Sequence, residues 1–103
     1  MKVEVAELES FPRDRGVRVT VGERNIAMFR IDDKVYALDD RCSHAEASLA
    51  EGEVFDYAVE CPRHGSEFDL ETGAAQSLPA TSPVPVYEVS IEDGVVYLNL
   101  EDD

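Results

Sequence analysis

The sequence predicts an all-β protein, and three observations support that prediction. Short runs of alternating apolar and polar residues recur along the chain, turn-forming residues separate them, and no segment shows the periodicity of a long amphipathic helix. A chain of 103 residues, 44% of them apolar, can also build one modest core. We therefore expect a single domain over residues 1–103, built as an antiparallel β-sandwich.

Three consecutive strands are predicted in the first half of the chain. In GVRVTV, the valines at positions 17, 19 and 21 fall on one face, while Arg18 and Thr20 fall on the other. RNIAMFRI and KVYALD follow. Gly22-Glu23 and Asp32-Asp33 separate these runs and are the predicted hairpin turns.

Two further strands are predicted at the C-terminal end. VYEVSI and VVYLNL flank Glu92-Asp93-Gly94, where the glycine can adopt the positive φ of a tight turn. Between the two groups of strands, residues from about 39 to 82 interrupt the pattern with several short turns. We expect them to form an inserted, loop-rich subdomain, with two brief strands in VFDYAVE and a short helical turn in AEASLAE.

The charge balance limits the possible partners. Nine Lys and Arg stand against 23 Asp and Glu, for a formal net charge of −14. Nucleic acids and anionic membranes are therefore excluded as partners, whereas a protein with a basic patch is favoured, although the acidic surface can also serve solubility alone. The sequence shows no signal peptide and no apolar run long enough to cross a bilayer, so we expect a cytoplasmic protein.

The inserted region contains all four thiol and imidazole side chains of the chain: Cys42, His44, Cys61 and His64. They form a C-x-H pair and a C-x-x-H pair with sixteen residues between them. Two kinds of metal site use two Cys and two His as ligands. One is a tetrahedral Zn²⁺ site, and the other is a [2Fe-2S] cluster with two Cys on one iron and two His on the other. Because each pair supplies one donor of each type, the cluster is favoured, but zinc and a Cys42–Cys61 disulfide stay open.

The residues around the pairs resemble a known family. DDRCSHAEASLAEG and CPRHGSEFDLETG are similar to the two cluster-binding loops of Rieske proteins, and SLPATSPVPVYEV is similar to the proline loop that covers the cluster. The resemblance implies one Rieske-type [2Fe-2S] cluster per chain. It also implies the ligands: Cys42 and Cys61 on the inner iron, His44 and His64 on the outer iron.

The same resemblance assigns roles around the cluster to Pro62, Gly65, Ser66 and Pro79. Pro62 would restrict the second loop, Gly65 would allow backbone amides to approach the sulfurs, and the Ser66 hydroxyl would donate to a bridging sulfide. High-potential members have a tyrosine where this chain has Phe68. We therefore expect a potential in the lower part of the Rieske range of about −150 to +300 mV.

Residue types that this sequence lacks exclude two branches of the family. No third cysteine is available for the disulfide of cytochrome bc Rieske proteins, and no histidine is left for the mononuclear iron of a ring-hydroxylating oxygenase. The chain therefore resembles a soluble Rieske-type ferredoxin, implying a one-electron carrier between a reductase and a terminal oxygenase, without substrate turnover of its own. We expect a monomer, because nothing in the sequence requires more. The carboxylates nearest to the ligands are the first candidates for docking: Asp39, Asp40, Glu46 and Glu67.

Three alternatives stay open at this point. One is an electron donor or redox sensor in another pathway, such as iron–sulfur cluster assembly. Another is a zinc-stabilised interaction module. The third, the small nitrite-reductase subunit that shares this fold, usually lacks the cluster ligands, so the four intact ligands argue against it.

Overall fold

The computed structural model describes residues 2–41, 47–63, 65–76 and 82–100. Two 3₁₀ turns, Leu8–Ser10 and Leu49–Glu51, are the helical elements of these ranges. All pairings between the strands are antiparallel, which confirms the predicted fold class. The strands are β1 (Lys2–Glu7), β2 (Gly16–Val21), β3 (Arg24–Ile31), β4 (Lys34–Asp39), β5 (Val54–Phe55), β6 (Ala58–Glu60), β7 (Glu67–Asp69), β8 (Val86–Glu92) and β9 (Val95–Asn99).

Six strands form one curled sheet in the order β1-β9-β8-β4-β3-β2. Its two halves are joined by the short ladder between β4 and β8, where Ala37 pairs with Tyr87 and Leu38 with Val86. The halves fold over each other because apolar side chains from both enter one core. Its buried members are Phe11, Ile26, Met28, Val35, Ala37, Val96, Leu98 and Leu100.

The predicted hairpin turns are present, and their backbone explains the residues that form them. Gly22 and Asp32 both have positive φ, at 62° and 55°. Asp93 and Gly94 are both left-handed, at 50° and 76°, as a type I′ turn between paired strands requires. Asp and Gly tolerate this conformation better than most residues do.

Strand β1 was not among the predicted strands. It pairs with β9, and its register shifts between Glu4 and Ala6. The irregularity interrupts the alternation that begins with Val3 and Val5, because an extra residue in one strand moves the following side chains to the other face. Only pairing with the far end of the chain makes this short segment a strand.

The second sheet has the order β5-β6-β7 and packs against the central strands of the first. β3 and β4 are buried on both faces. Ala27 and Phe29 enter the core beneath the small sheet, and Ile26 and Met28 enter the sandwich core. Burial on both faces explains why RNIAMFRI is a nearly continuous apolar run rather than an alternating one.

Two glycines allow the small sheet and its loops to approach the main sheet closely. A Cβ on Gly16 would lie 2.5 Å from the carbonyl oxygen of Ala50. A Cβ on Gly73, where φ is +76°, would lie 2.1 Å from the carbonyl oxygen of Val84, and the Val84 N–H donates to the Gly73 oxygen at 2.9 Å. The boundaries of the inserted subdomain, about 39–82, stay a prediction.

None of the helical segments within the described ranges has the length and apolar character needed to cross a membrane.

Candidate metal centre

The second predicted ligand loop, residues 61–66, joins β6 to β7 and is closed by backbone bonds. The Cys61 N–H donates to the Ser66 carbonyl at 2.7 Å, and the Gly65 N–H donates to the Cys61 carbonyl at 3.0 Å. Glu60 and Glu67 pair across the ladder just below it. Gly65 has φ +76°, a conformation that strongly favours glycine. The loop is therefore a tight, backbone-defined turn that begins at Cys61.

Cys61 is fully buried and is a free thiol. It belongs to the core beneath the small sheet, together with Phe29, Leu38 and Phe68. A free cysteine is often simply a small apolar core residue, so burial by itself does not identify a ligand. Here the buried thiol begins a tight turn that contains the second predicted histidine. This position would exclude water from an inner metal atom bound there.

The neighbours of Cys61 differ in exposure. Pro62 and Gly65 are exposed, whereas Ser66 is completely buried. The amide of Gly65 donates to the Cys61 carbonyl, and the predicted role of Gly65, to let backbone amides approach the sulfurs, stays a prediction. Its left-handed backbone is what the turn needs. The predicted role of the Ser66 hydroxyl stays a prediction.

The first predicted ligand loop begins after Asp40, which the sequence alone placed among docking carboxylates. That interpretation is wrong, because Asp40 is only 5% exposed. Its Oδ1 accepts hydrogen bonds from the Ser48 hydroxyl at 2.8 Å and the Ala50 N–H at 3.0 Å. The Asp40 carbonyl accepts from the Leu49 N–H at 2.7 Å. This buried anchor was missed because no residue spacing identifies which acid faces inward.

Asp39 is half-buried beside Tyr87, whose hydroxyl lies 3.5 Å from Asp39 Oδ1. Burial raises the pKa of the Asp39 carboxyl above its ordinary value, and the hydrogen bond from Tyr87 acts in the opposite direction. Burial also raises the pKa of the Tyr87 hydroxyl. Asp39 is therefore a less favourable docking charge than a fully solvated carboxylate.

Several predicted site residues lie outside the described residues: Cys42, His44, Glu46, His64 and Pro79. The four-ligand arrangement accordingly stays a prediction. Among the residues that the structure describes, no group of three His, Cys, Asp or Glu side chains is arranged to hold a metal ion.

Comparison with known proteins identifies the family. The sequence profile of the Rieske [2Fe-2S] domain matches residues 1–88. The chain belongs to the Rieske [2Fe-2S] family. A curated Rieske relative is the anthranilate 1,2-dioxygenase ferredoxin subunit of Burkholderia cepacia, 43% identical over 90% of this chain and 86% of its own length.

Solved Rieske structures agree with that relationship. The ferredoxin of carbazole 1,9a-dioxygenase from Nocardioides aromaticivorans IC177 superposes with a TM-score of 0.92 at 34% identity, over 98% of this chain and 99% of that one. A chain from the complex of reduced oxygenase and oxidised ferredoxin in carbazole 1,9a-dioxygenase superposes with a TM-score of 0.89 at 37% identity, over 94% of this chain and 100% of that one.

These comparisons confirm the predicted resemblance to Rieske-type ferredoxins and the predicted cofactor, a Rieske-type [2Fe-2S] cluster. The residues of this chain fit the cofactor. Two cysteines and two histidines are the donor set of a Rieske centre, and the one described donor is a buried, free thiol at the start of a tight turn.

Proposed function

We propose that this chain is a one-electron carrier that accepts electrons from a reductase and passes them to the terminal oxygenase of a ring-hydroxylating system. The observation that carries the proposal is the likeness, over nearly the whole chain, to a protein named as a dioxygenase ferredoxin subunit. The solved complex of an oxygenase with a ferredoxin supports an oxygenase as the acceptor. The chain would have no substrate turnover of its own.

Cys42, His44, Cys61 and His64 are the residues that would hold the cluster. When bound, the cluster supplies reversible one-electron chemistry. Cys61 would place one thiolate in the apolar core, where water is excluded, and Gly65 allows the chain to turn back sharply towards β7. Pro62 would stiffen this turn, Ser66 would donate to a sulfide, and Pro79 would cover the cluster.

The acidic surface would select the partner. Between residues 47 and 76, seven Asp and Glu stand against Arg63 as the one Lys or Arg. Glu60 pairs directly with Glu67, and the Glu60 N–H donates to the Glu53 carbonyl, so three glutamates lie side by side across the small sheet. Like charges in such positions repel each other. A basic patch on a redox partner would relieve this repulsion and would speed the encounter.

The alternatives differ in what they require of the cluster. An electron donor or redox sensor for another pathway would keep the cluster and change only the partner. A zinc-stabilised module would bind no iron. The cytoplasmic location and the monomeric state stay predictions.

Electron paramagnetic resonance of the anaerobically purified protein tests the proposal. We expect a visible absorbance that bleaches with dithionite, and a rhombic EPR signal that appears only on reduction. Metal analysis should find iron and acid-labile sulfide in equal amounts. EPR silence in both states, together with stoichiometric zinc, would contradict the proposal.

A second measurement separates the oxygenase partner from other pathways. Stopped-flow mixing of the reduced protein with the oxygenase component of a ring-hydroxylating dioxygenase should show rapid reoxidation of the ferredoxin under anaerobic conditions. A cluster that is present but is not oxidised by any such component would favour the alternative pathway.

A further inference from the structure

A buried acid, Asp40, stands just before the first ligand loop, and its hydrogen-bond partners stand where that loop ends. Asp40 stands two positions before Cys42, and its side chain is shielded from solvent. A buried carboxylate is stable only when hydrogen bonds or cations satisfy its oxygens. The partners that satisfy Asp40 therefore indicate what this residue holds together.

Those partners come from the segment that follows the loop. Asp40 Oδ1 accepts from the Ser48 hydroxyl at 2.8 Å and from the Ala50 N–H at 3.0 Å. Its carbonyl accepts from the Leu49 N–H at 2.7 Å, and Arg41 forms a β-bridge with Ser48. One residue thus joins the two ends of residues 41–48, which include Cys42 and His44.

The same residue is attached to the main sheet. The Asp40 N–H donates to the carbonyl of Asn25, next to the first pairs of the β3–β4 ladder, at 2.9 Å. Asp40 Oδ2 lies 4.0 Å from an Arg18 guanidinium nitrogen. Because Arg18 is more than half exposed, we assign most of the anchoring to the hydrogen bonds on Oδ1.

The two predicted ligand loops are therefore closed in different ways. Residues 61–66 are closed by backbone bonds between Cys61, Gly65 and Ser66. The two ends of residues 41–48, which we call the neck of the first loop, are joined by backbone contacts and also by the hydrogen bonds of the Asp40 side chain. A side-chain substitution can loosen the first loop while it leaves the second loop closed.

We propose that Asp40 is a positioning residue for the cluster, which closes the neck of the first loop so that Cys42 and His44 are held ready for ligation. The proposal rests on the proposed function, because it takes these two residues as ligands. Closing the neck reduces the conformational freedom that the loop would regain whenever a ligand dissociates. A loosened neck should therefore favour loss of iron from a protein that is otherwise folded.

The test compares iron release with global stability. Iron loss from the oxidised holoprotein to excess EDTA is followed by visible absorbance, well below the melting temperature of each variant. We expect roughly tenfold or faster release from Asp40→Ala, since two charge-assisted hydrogen bonds are lost. Asp40→Asn keeps an acceptor at this position and should release iron more slowly than Asp40→Ala. Ser48→Ala removes one bond and should also show a smaller increase.

Arg30→Ala is the matched control. Arg30 is 2% exposed and donates to the carbonyls of Asp32 at 2.8 Å and Leu8 at 3.1 Å, at the other end of the β3–β4 ladder. Its loss should lower the free energy of unfolding without opening the loop. The EPR signal of reduced Asp40→Ala should broaden, because a loose loop holds its ligand in several geometries, whereas Arg30→Ala should keep the wild-type line width.

Equal iron release from Asp40→Ala and Arg30→Ala at matched unfolding free energy, with unchanged EPR line widths, would overturn the proposal and leave Asp40 a purely structural residue. If Asp40→Ala does not fold, Asp40→Asn and Ser48→Ala carry the test. Wild-type release rates in both of these variants would then overturn it. Failure of the proposed function is seen separately in the wild-type protein, which would then either contain no [2Fe-2S] cluster or hold a cluster that no oxygenase component oxidises.

Discussion

At the residue scale, burial changes the role that can be assigned to two polar residues beside the predicted ligands. Ser66 is completely buried and Asp40 nearly so, although serine and aspartate are usually exposed. A buried hydroxyl or carboxylate must act through its hydrogen bonds. Ser66 lies at the end of the second loop, and Asp40 at the start of the first. Each therefore lies in the protein interior beside a predicted ligand loop rather than on the protein surface.

Replacing Ser66 with alanine should lower the reduction potential of the cluster. A hydroxyl that donates to a bridging sulfide stabilises the reduced, more negative state, and its loss should shift the potential by on the order of 50 mV. A redox titration followed by EPR measures the shift. Ser90→Ala, on β8, is the matched control and should leave the potential unchanged. An unchanged potential in Ser66→Ala would exclude the hydrogen bond.

At the scale of elements, the contact between the main sheet and the inserted region depends on close backbone approach. Gly73 follows the small sheet, and its neighbour across the contact is the backbone of Val84, just before β8. Gly22, in the β2–β3 turn, has a similar positive φ but nothing within 4 Å of a built Cβ. Comparing the same substitution at Gly73 and at Gly22 therefore separates the cost of crowding from the cost of the backbone conformation.

Gly73→Ala should destabilise the protein much more than Gly22→Ala. Both substitutions force alanine into a left-handed conformation, which costs about 1–2 kcal/mol. Only at Gly73 would the new Cβ lie 2.1 Å from the Val84 oxygen, so a further penalty of about 1–3 kcal/mol is expected. Urea unfolding of both variants measures the difference. Equal losses of stability would show that the contact adapts easily.

At the scale of the whole molecule, the net charge of −14 should govern encounters with other redox species. The field of such a protein attracts cations over a Debye length of about 30 Å at 0.01 M salt, but of only about 8 Å at 0.15 M. Electron transfer to a basic partner should therefore slow down as salt is added. The effect depends on total charge and can be measured without the natural partner.

Oxidation of the reduced protein by small reagents of opposite charge tests this effect. The rate constant with tris(phenanthroline)cobalt(III), a cation, should fall by roughly tenfold or more between low and high salt, while that with anionic ferricyanide should rise. Stopped-flow absorbance gives both rates. The reversed pattern, a rise with the cation and a fall with ferricyanide, would show that positive charge near the cluster outweighs the net negative charge.

Much of the fold followed from local pattern. The runs beginning at Gly16, Arg24, Lys34, Val86 and Val95 are strands because their apolar residues fit a buried sheet, and the residues between them tolerate positive φ. The two Cys–His pairs left zinc open as an alternative, and it was the residues around them, similar to the two Rieske loops, that indicated the family and its cofactor.

Other features required the tertiary structure. β1 is a strand because β9, from the other end of the chain, pairs with it despite an irregular register. Asp40 is an anchor because the chain returns at Ser48 and Ala50 to satisfy its carboxylate, which converts an apparently solvated acid into a buried one. Residue type and spacing are local properties, so they can be read directly from the sequence. Burial and long-range hydrogen bonding depend on which distant segments meet, and only the folded chain decides them.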